Sequence, residues 1–253
     1  MSIVLDMSPA GARLSTPVTG IPRRLQRAMR NRPMKLSAIT VCVDYSEHLS
    51  QSLCRWRDGV DNLLVVSSPG DGDTIKMCQE NGVQCLQTNC FWMNGAKFNK
   101  GLAISQGFLT MLPKLRQDDW VLFFDADIIP EESWREKIRL ETLDPSCLYG
   151  AWRHDERGKK INDPGVCGWF FLANMQSPGM QKQPIMPVEF YHAGCYDSVF
   201  ADRWPQDKRK VLPLHLTHLG ETWENWCGVG NSAAMEELLK GRRQGRPWQR
   251  ETI

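Results

Sequence analysis

Short apolar runs alternate with helix-like segments between Leu36 and Phe124, and this alternation limits the fold more than any other feature of the chain. Four runs have the length and the β-branched or aromatic content of strands: Leu36–Asp44, Asn62–Ser67, Val83–Thr88 and Trp120–Phe124. Three segments between them carry apolar residues at helical spacing: Ser46–Trp56, Thr74–Asn81 and Lys97–Met111. Strands that alternate with helices predict βαβ units, and therefore an α/β fold with a mainly parallel, Rossmann-like sheet flanked by helices.

The pattern becomes irregular after Pro130, where short apolar runs alternate with loops rich in proline and glycine. We expect residues 36–130 to form one half of a domain and residues 131–239 to form a smaller, irregular lobe of the same domain. This lobe is predicted to contain mixed strands in three apolar runs, Cys147–Trp152, Cys167–Ala173 and Lys210–Leu214. It is also predicted to contain two helices, Asp197–Trp204 and Ser232–Gly241.

The two ends of the chain are basic, although the net charge of the 253 residues is only +2. Residues 1–35 contain seven basic side chains against one acid, and residues 240–253 contain five against one. We interpret residues 1–35 as a mobile arm and residues 240–253 as a tail. Solvated ends explain this charge most simply, and contact with an anionic acceptor or surface is the alternative.

The cysteine pattern indicates a reducing compartment. The nine cysteines are an odd number and include no C-x-x-C pair, which favours free thiols over disulfides or zinc. No apolar stretch approaches the ~20 residues of a membrane span, and the N-terminus lacks the order of a secretory signal. We therefore expect a cytoplasmic protein.

Two carboxylates, Asp125 and Asp127, follow the most hydrophobic strand, WVLFF. In a parallel sheet, ligands bind beyond the carboxyl ends of the strands. Oxygen ligands at this position suit Mg²⁺ or Mn²⁺, which also bind substrate phosphates. A solvated acidic loop is the alternative interpretation.

A helix start lies upstream of this acidic pair and contains Lys97, Asn99, Lys100 and Gly101. Asparagine and glycine would let the backbone approach a nucleotide, and the lysines could contact phosphate. Taken by themselves, these residues are explained better by ordinary helix capping.

Two further residues lie in the second half of the chain. His218 follows an apolar run and precedes a glycine turn, so its imidazole could complete the coordination begun by the aspartates, or it could be structural. Asp197 stands at the start of an amphipathic helix, where it is either an N-cap or a general base.

The run from Phe98 to Pro130 resembles the core of family-2-type nucleotide-sugar glycosyltransferases, which have the GT-A fold. The stretch HAGCYDSVFADRW resembles the acceptor-side Asp helix of that superfamily, which a metal-binding histidine follows in galactosyltransferase-like members. The resemblance implies a nucleoside-diphosphate sugar as donor and Mn²⁺ or Mg²⁺ as cofactor. It implies that Asp125, Asp127 and His218 hold the metal and that Asp197 is the base of an inverting transfer.

The resemblance also implies a set of donor contacts. In the family an acidic residue at the end of the second strand contacts the nucleobase, whereas this chain has Ser67 and Ser68 there and its acid is displaced to Asp71. Cations from Lys97, Lys100 and Arg153 would assist departure of the diphosphate. Position 196 is tyrosine where the family commonly has an acid.

Other functions are compatible with the same residues. A nucleotidyltransferase also uses carboxylates and Mg²⁺, but Val43–Ser46 stands where its glycine-rich phosphate loop belongs. A sugar- or nucleotide-binding module without turnover would use some of the ten tryptophans for stacking. The acceptor could be a small molecule, a protein, a glycan or a modified DNA base of the phage type.

Overall fold

The computed structural model describes residues 33–96, 98–161, 170–189 and 196–220. Eight strands are found there: β1 Leu36–Val41, β2 Asn62–Ser67, β3 Gln84–Gln87, β4 Trp120–Asp125, β5 Ile128–Pro130, β6 Leu148–His154, β7 Phe170–Asn174 and β8 Arg209–His218. Five α-helices accompany them: α1 Ser46–Asp58, α2 Gly72–Glu80, α3 Lys100–Met111, α4 Trp134–Lys137 and α5 Tyr196–Ala201. Short 3₁₀ turns occupy Cys90–Gly95, Leu112–Lys114, Leu140–Thr142, Pro178–Gln181 and Gln206–Lys208.

All eight strands belong to one sheet, in the order β3-β2-β1-β4-β7-β6-β8-β5. The β1, β2, β3 and β4 strands are parallel to one another, and β7 is antiparallel to β4. Because β6 is antiparallel to β7 and parallel to β8, both β6 and β8 point in the same direction as β4. The carboxyl ends of six strands therefore lie at one edge of the sheet.

The sheet curls, because only Ala126 and Asp127 separate the end of β4 from the start of β5. β4 lies in the middle of the strand order and β5 at its margin, so the margin must turn back toward β4. There β5 pairs antiparallel with β8, with Ile128 opposite His218. The Trp56 indole on α1 fixes this corner by donating to the carbonyl of Ile128 at 2.9 Å.

Each face of the sheet buries a separate apolar cluster. One cluster contains Trp56, Phe124 and Trp134, whose aromatic rings pack against one another. The other contains Phe108, Phe123 and Phe200 from α3, β4 and α5. Burial of both faces explains why β4 is a continuous apolar run and not an alternating one.

The predicted α/β fold with a mainly parallel sheet is confirmed, with two differences of detail. Helix α3 begins at Lys100 and not at Lys97, because Asn99 caps it. The strands of the second half extend the same sheet as those of the first. The predicted helix Ser232–Gly241, the tail and almost all of the N-terminal arm lie outside the described residues. In the described ranges, no helix combines the length and the apolar character needed to cross a bilayer.

Candidate active site

The first carboxylate of the acidic pair is held by a lysine of α3. Asp125 is the last residue of β4 and stands beside Val41 of β1. Its Oδ1 atom accepts a hydrogen bond from Lys100 Nζ at 2.5 Å, and the two side chains are 28% and 14% exposed. A mostly buried ion pair of this kind is short and strongly directional. The α3 helix is thereby joined to the end of the central strand.

Burial and neighbouring charges act in opposite directions on this pair. Burial raises the pKa of Asp125, and the charges of Asp127 and Asp197 raise it further, so that it stays above its usual value despite the attraction of Lys100. Burial alone would lower the pKa of Lys100, but the charge of Asp125 outweighs this effect and raises it. Lys100 is therefore a permanent cation surrounded by several acids.

The second carboxylate contacts the histidine that was predicted to join it. Asp127 Oδ2 lies 3.4 Å from His218 Nε2, and both side chains are almost completely buried. The backbone holds them there, because His218 pairs with Ile128 and the amide of Leu219 donates to the carbonyl of Asp127 at 2.8 Å. Burial raises the pKa of Asp127, but the hydrogen bond and charge of His218 outweigh it, and the pKa lies below its usual value.

The Asp127–His218 contact suits a shared divalent cation. Neighbouring ligand atoms of an octahedral ion with bonds of 2.0–2.1 Å are about 3 Å apart, close to the observed separation of Oδ2 and Nε2. Among the described residues no group of three His, Cys, Asp or Glu side chains is arranged as a complete site. Two protein ligands with open positions are typical of an ion that also binds substrate phosphates.

The predicted helix-start residues have structural partners. The Asn99 side chain accepts a hydrogen bond from the Leu102 amide at 2.8 Å, which caps α3, and donates to the Val188 carbonyl at 2.7 Å. A Cβ atom added at Gly101 would lie 1.9 Å from the carbonyl oxygen of Pro187. Asn99 and Gly101 thus fix α3 against residues 187–188, and α3 in turn presents Lys100 to Asp125. Lys97 lies outside the described residues.

Helix α5 brings two side chains toward the same acids. The Tyr196 ring centroid is 5.6 Å from Lys100 Nζ, and its Cβ atom packs against Gly101. Burial raises the pKa of the Tyr196 phenol, although Lys100 opposes this effect. Asp197 is half-buried, and its charge acts on both Asp125 and Tyr196. The structure therefore brings Asp197 into the electrostatic neighbourhood of the acidic pair.

The remaining predicted donor contacts lie farther along the same edge. Asp71 is buried and accepts hydrogen bonds from the Thr74 amide, the Asp44 amide and the Ser67 hydroxyl at 2.8–3.1 Å. Arg153 lies on β6 opposite Leu216 of β8, two residues before His218. Their roles as donor contacts stay predictions.

Comparisons with solved structures confirm the predicted GT-A-like fold. No protein-family model matches the chain, and a search of curated proteins found no significant match. Among solved structures, the chain is similar to glucosyl-3-phosphoglycerate synthase from Mycobacterium tuberculosis in complex with Mn²⁺, uridine diphosphate and glucosyl-3-phosphoglycerate. The identity is 15%, the TM-score is 0.56, and the match covers 93% of this chain and 88% of that one.

Two further structures give the same result. The complex of that synthase with phosphoglyceric acid matches with a TM-score of 0.58, 15% identity and the same coverage of both chains. A crystal structure described as that of a mycobacterial protein matches with a TM-score of 0.58 and 17% identity over 88% of this chain and 78% of that one. At such identities the similarity establishes the fold alone.

Sequence reasoning gave no role to Tyr196 or to the pairing of Lys100 with Asp125. Tyrosine at position 196 was visible only as a departure from the family pattern. Its contact with Lys100 depends on the packing of α5 against α3. No local spacing in the sequence signals such a contact.

Proposed function

We propose that this chain is a metal-dependent glycosyltransferase that moves a sugar from a nucleoside-diphosphate donor to an acceptor hydroxyl. The observation that carries the proposal is the Asp127–His218 contact at the carboxyl edge of the sheet, beside the Asp125–Lys100 pair. The described side chains that interact there include three carboxylates, Asp125, Asp127 and Asp197, against the ammonium of Lys100. This excess of negative charge favours a divalent cation.

The similar synthase structures support the choice of donor and metal. These structures are complexes with Mn²⁺ or Mg²⁺ and with uridine diphosphate or UDP-glucose. We infer a uridine diphosphate sugar for this chain as well. A divalent ion on Asp127 and His218 would neutralise the charge that develops on the departing diphosphate.

The protein groups have distinct tasks in this scheme. Asp127 and His218 provide the ligand atoms, and the β5–β8 pairing keeps them in place before the donor binds. Lys100 stays protonated and supplies a fixed positive charge beside the diphosphate site. Tyr196 packs against Lys100 and limits its movement. Preorganised charges of this kind need no rearrangement during the reaction.

Asp197 is the proposed base for the acceptor hydroxyl, which makes the transfer inverting. Its position on α5, separate from the Asp127–His218 pair on β5 and β8, suits a group that acts from the acceptor side. The acceptor is one of the classes inferred from the sequence: a small molecule, a protein, a glycan or a modified DNA base. An anionic acceptor is compatible with the basic ends of the chain, and the synthase structures contain phosphoglyceric acid.

The test is Mn²⁺-dependent release of uridine diphosphate from UDP-glucose and other UDP-sugars, with acceptor panels from each class. Asp127→Asn should bind Mn²⁺ weakly, as measured by electron paramagnetic resonance, and should release no uridine diphosphate. Asp58→Asn is the matched control, because Asp58 is exposed and lies at the far end of α1.

Three outcomes would contradict the proposal. Release of pyrophosphate from a nucleoside triphosphate would indicate a nucleotidyltransferase. Donor binding without any metal-dependent release would indicate a binding module. Unchanged Mn²⁺ affinity in Asp127→Asn would remove Asp127 from the metal site.

A further inference from the structure

β2 ends in Ser67 and not in the expected acid, and the nearest acid after it is Asp71. The structure shows the role of Asp71. Asp71 is 4% exposed. Its Oδ1 atom accepts from the Thr74 amide at 3.0 Å, and its Oδ2 atom accepts from the Asp44 amide at 2.8 Å and the Ser67 hydroxyl at 3.1 Å. A carboxylate has about four acceptor positions, and three of them are filled by the protein. Asp71 therefore organises this edge and has little capacity left for a ligand.

Another carboxylate, that of Asp44, lies next to Asp71 and is open to solvent. Asp44 lies between β1 and α1 and is exposed. Within the described part of the chain, no group hydrogen-bonds or forms an ion pair with its carboxylate. Its amide, by contrast, is fixed by Asp71. The side chain thus starts from an anchored backbone and has no hydrogen-bond or ion-pair partner among the described residues.

The backbone of Asp44 is strained. Its φ angle is +54°, and it is the one residue other than glycine with a positive φ among the described residues. Aspartate tolerates this conformation better than most residues, but glycine adopts it without cost. Strained residues cluster at ligand sites, where the geometry serves function.

The position of Asp44 fits the nucleoside end of the proposed donor. Val41 of β1 stands beside Asp125 of β4, and Asp44 is three residues farther toward the carboxyl edge. Its amide contact with Asp71 places it over the ends of β1 and β2, whereas the metal ligands lie on the β4 side. A donor whose diphosphate is at Asp127 and His218 would extend its base along this edge.

We propose that the Asp44 carboxylate recognises the ring N–H of a uracil base in the donor. This inference rests on the proposed function. The N3–H group of uracil is a donor that a carboxylate accepts well, whereas cytosine has a lone pair at N3 that a carboxylate repels. Asp44, which follows β1, thereby has the role that an acid at the end of β2 would otherwise have. It selects uridine over cytidine diphosphates.

The test is calorimetric binding of uridine diphosphate, cytidine diphosphate and 3-methyluridine diphosphate to the full chain with Mn²⁺ present. Asp44→Gly removes the carboxylate and relieves the strained φ, so its melting temperature should not fall. Its Kd for uridine diphosphate should rise about 10- to 100-fold, as expected for the loss of a charge-assisted hydrogen bond. Its Kd for 3-methyluridine diphosphate should equal that of the wild-type chain, because that base has no N3–H.

Asp44→Asn should narrow the preference for uridine over cytidine diphosphate, because an amide can accept from uracil or donate to cytosine. Asp58→Asn should bind all three nucleotides like the wild-type chain. Unchanged uridine diphosphate binding in Asp44→Gly would overturn the assignment of Asp44 alone. Equal losses for the methylated and unmethylated nucleotides would overturn recognition of N3–H and indicate a ribose contact. Absence of nucleotide binding by the wild-type chain would contradict the proposed function itself.

Discussion

Gly101 is a residue whose replacement tests the packing that presents Lys100 to Asp125. A Cβ atom at position 101 would lie 1.9 Å from the Pro187 carbonyl oxygen and 3.1 Å from its carbon. Ordinary contact begins near 3.4 Å, so α3 and Pro187 would have to separate by about 1.5 Å. Both neighbours of Pro187 are hydrogen-bonded to α3 or its cap. The side chain of Asn99, the cap, donates to the Val188 carbonyl, and the Met186 amide donates to the Ser105 hydroxyl of α3.

The expected cost of Gly101→Ala follows from these contacts. Overpacking costs typically 1–3 kcal/mol, and weakening one of these two hydrogen bonds adds about 1 kcal/mol. The better helix propensity of alanine offsets up to about 1 kcal/mol of this loss. We expect a net loss of about 1–3 kcal/mol, which for a domain of this size lowers the melting temperature by roughly 2–12 °C.

Differential scanning calorimetry provides the measurement, with Gly72→Ala as the matched control. Gly72 is the first residue of α2, and no atom lies within 4 Å of its added Cβ, so this variant should be neutral or slightly more stable. A Gly101→Ala protein as stable as the wild-type chain would refute the packing argument. If that variant also lost donor binding, Gly101 would be a donor contact, as its place at the helix start predicts.

The remaining predictions concern charges at the site. Lys100→Met should lower the free energy of unfolding at pH 8 by about 2–4 kcal/mol, because it leaves the mostly buried Asp125 carboxylate without its cation. This difference in unfolding free energy from the wild-type chain should shrink as the pH falls through the raised pKa of Asp125, because protonation removes the charge that Lys100 neutralises. Urea unfolding of both proteins at several pH values measures the difference. A difference that does not change with pH would contradict the prediction. Asp197→Asn should lower turnover by ~10²–10⁴ while calorimetry shows unchanged uridine diphosphate binding, and full activity would exclude Asp197 as the base.

Much of the fold could be predicted because local residue choices agree with it. The β2 strand, Asn62–Ser67, has the predicted bounds, since a β-branched run ends there in a proline–glycine turn. The predicted start of α3, Lys97, was three residues too early. In the sequence, a helix that starts at Lys97 and one that Asn99 caps are both plausible. The hydrogen bond from the Leu102 amide to the Asn99 side chain decides for the second, so α3 begins at Lys100.

The candidate site was only partly visible in the sequence. His218 was predicted from the apolar run before it and from the family resemblance. Asp127 follows an apolar strand, and the rule that ligands bind beyond the carboxyl ends of parallel strands singled it out. The same rule could not separate Asp44 from Asp71. An acid that caps a helix and an acid that binds a ligand occupy similar places in a sequence. Only the three donors around Asp71 show which of them is committed to the protein.

The two halves of the chain contribute different chemistry to the site. Strand β4 ends in the Asp125 carboxylate, and Asp44 follows β1 by three residues. Such carboxylates attract a cation but do not by themselves fix its position. The imidazole of His218 comes from β8, and the pairing of β8 with β5 sets its distance from Asp127. Because β5 follows β4 after only two residues, any shift of the β8 register would move His218 away from Asp127. Formation of the Asp127–His218 contact therefore depends on correct pairing at the curled margin of the sheet, and not on residues 36–130 alone.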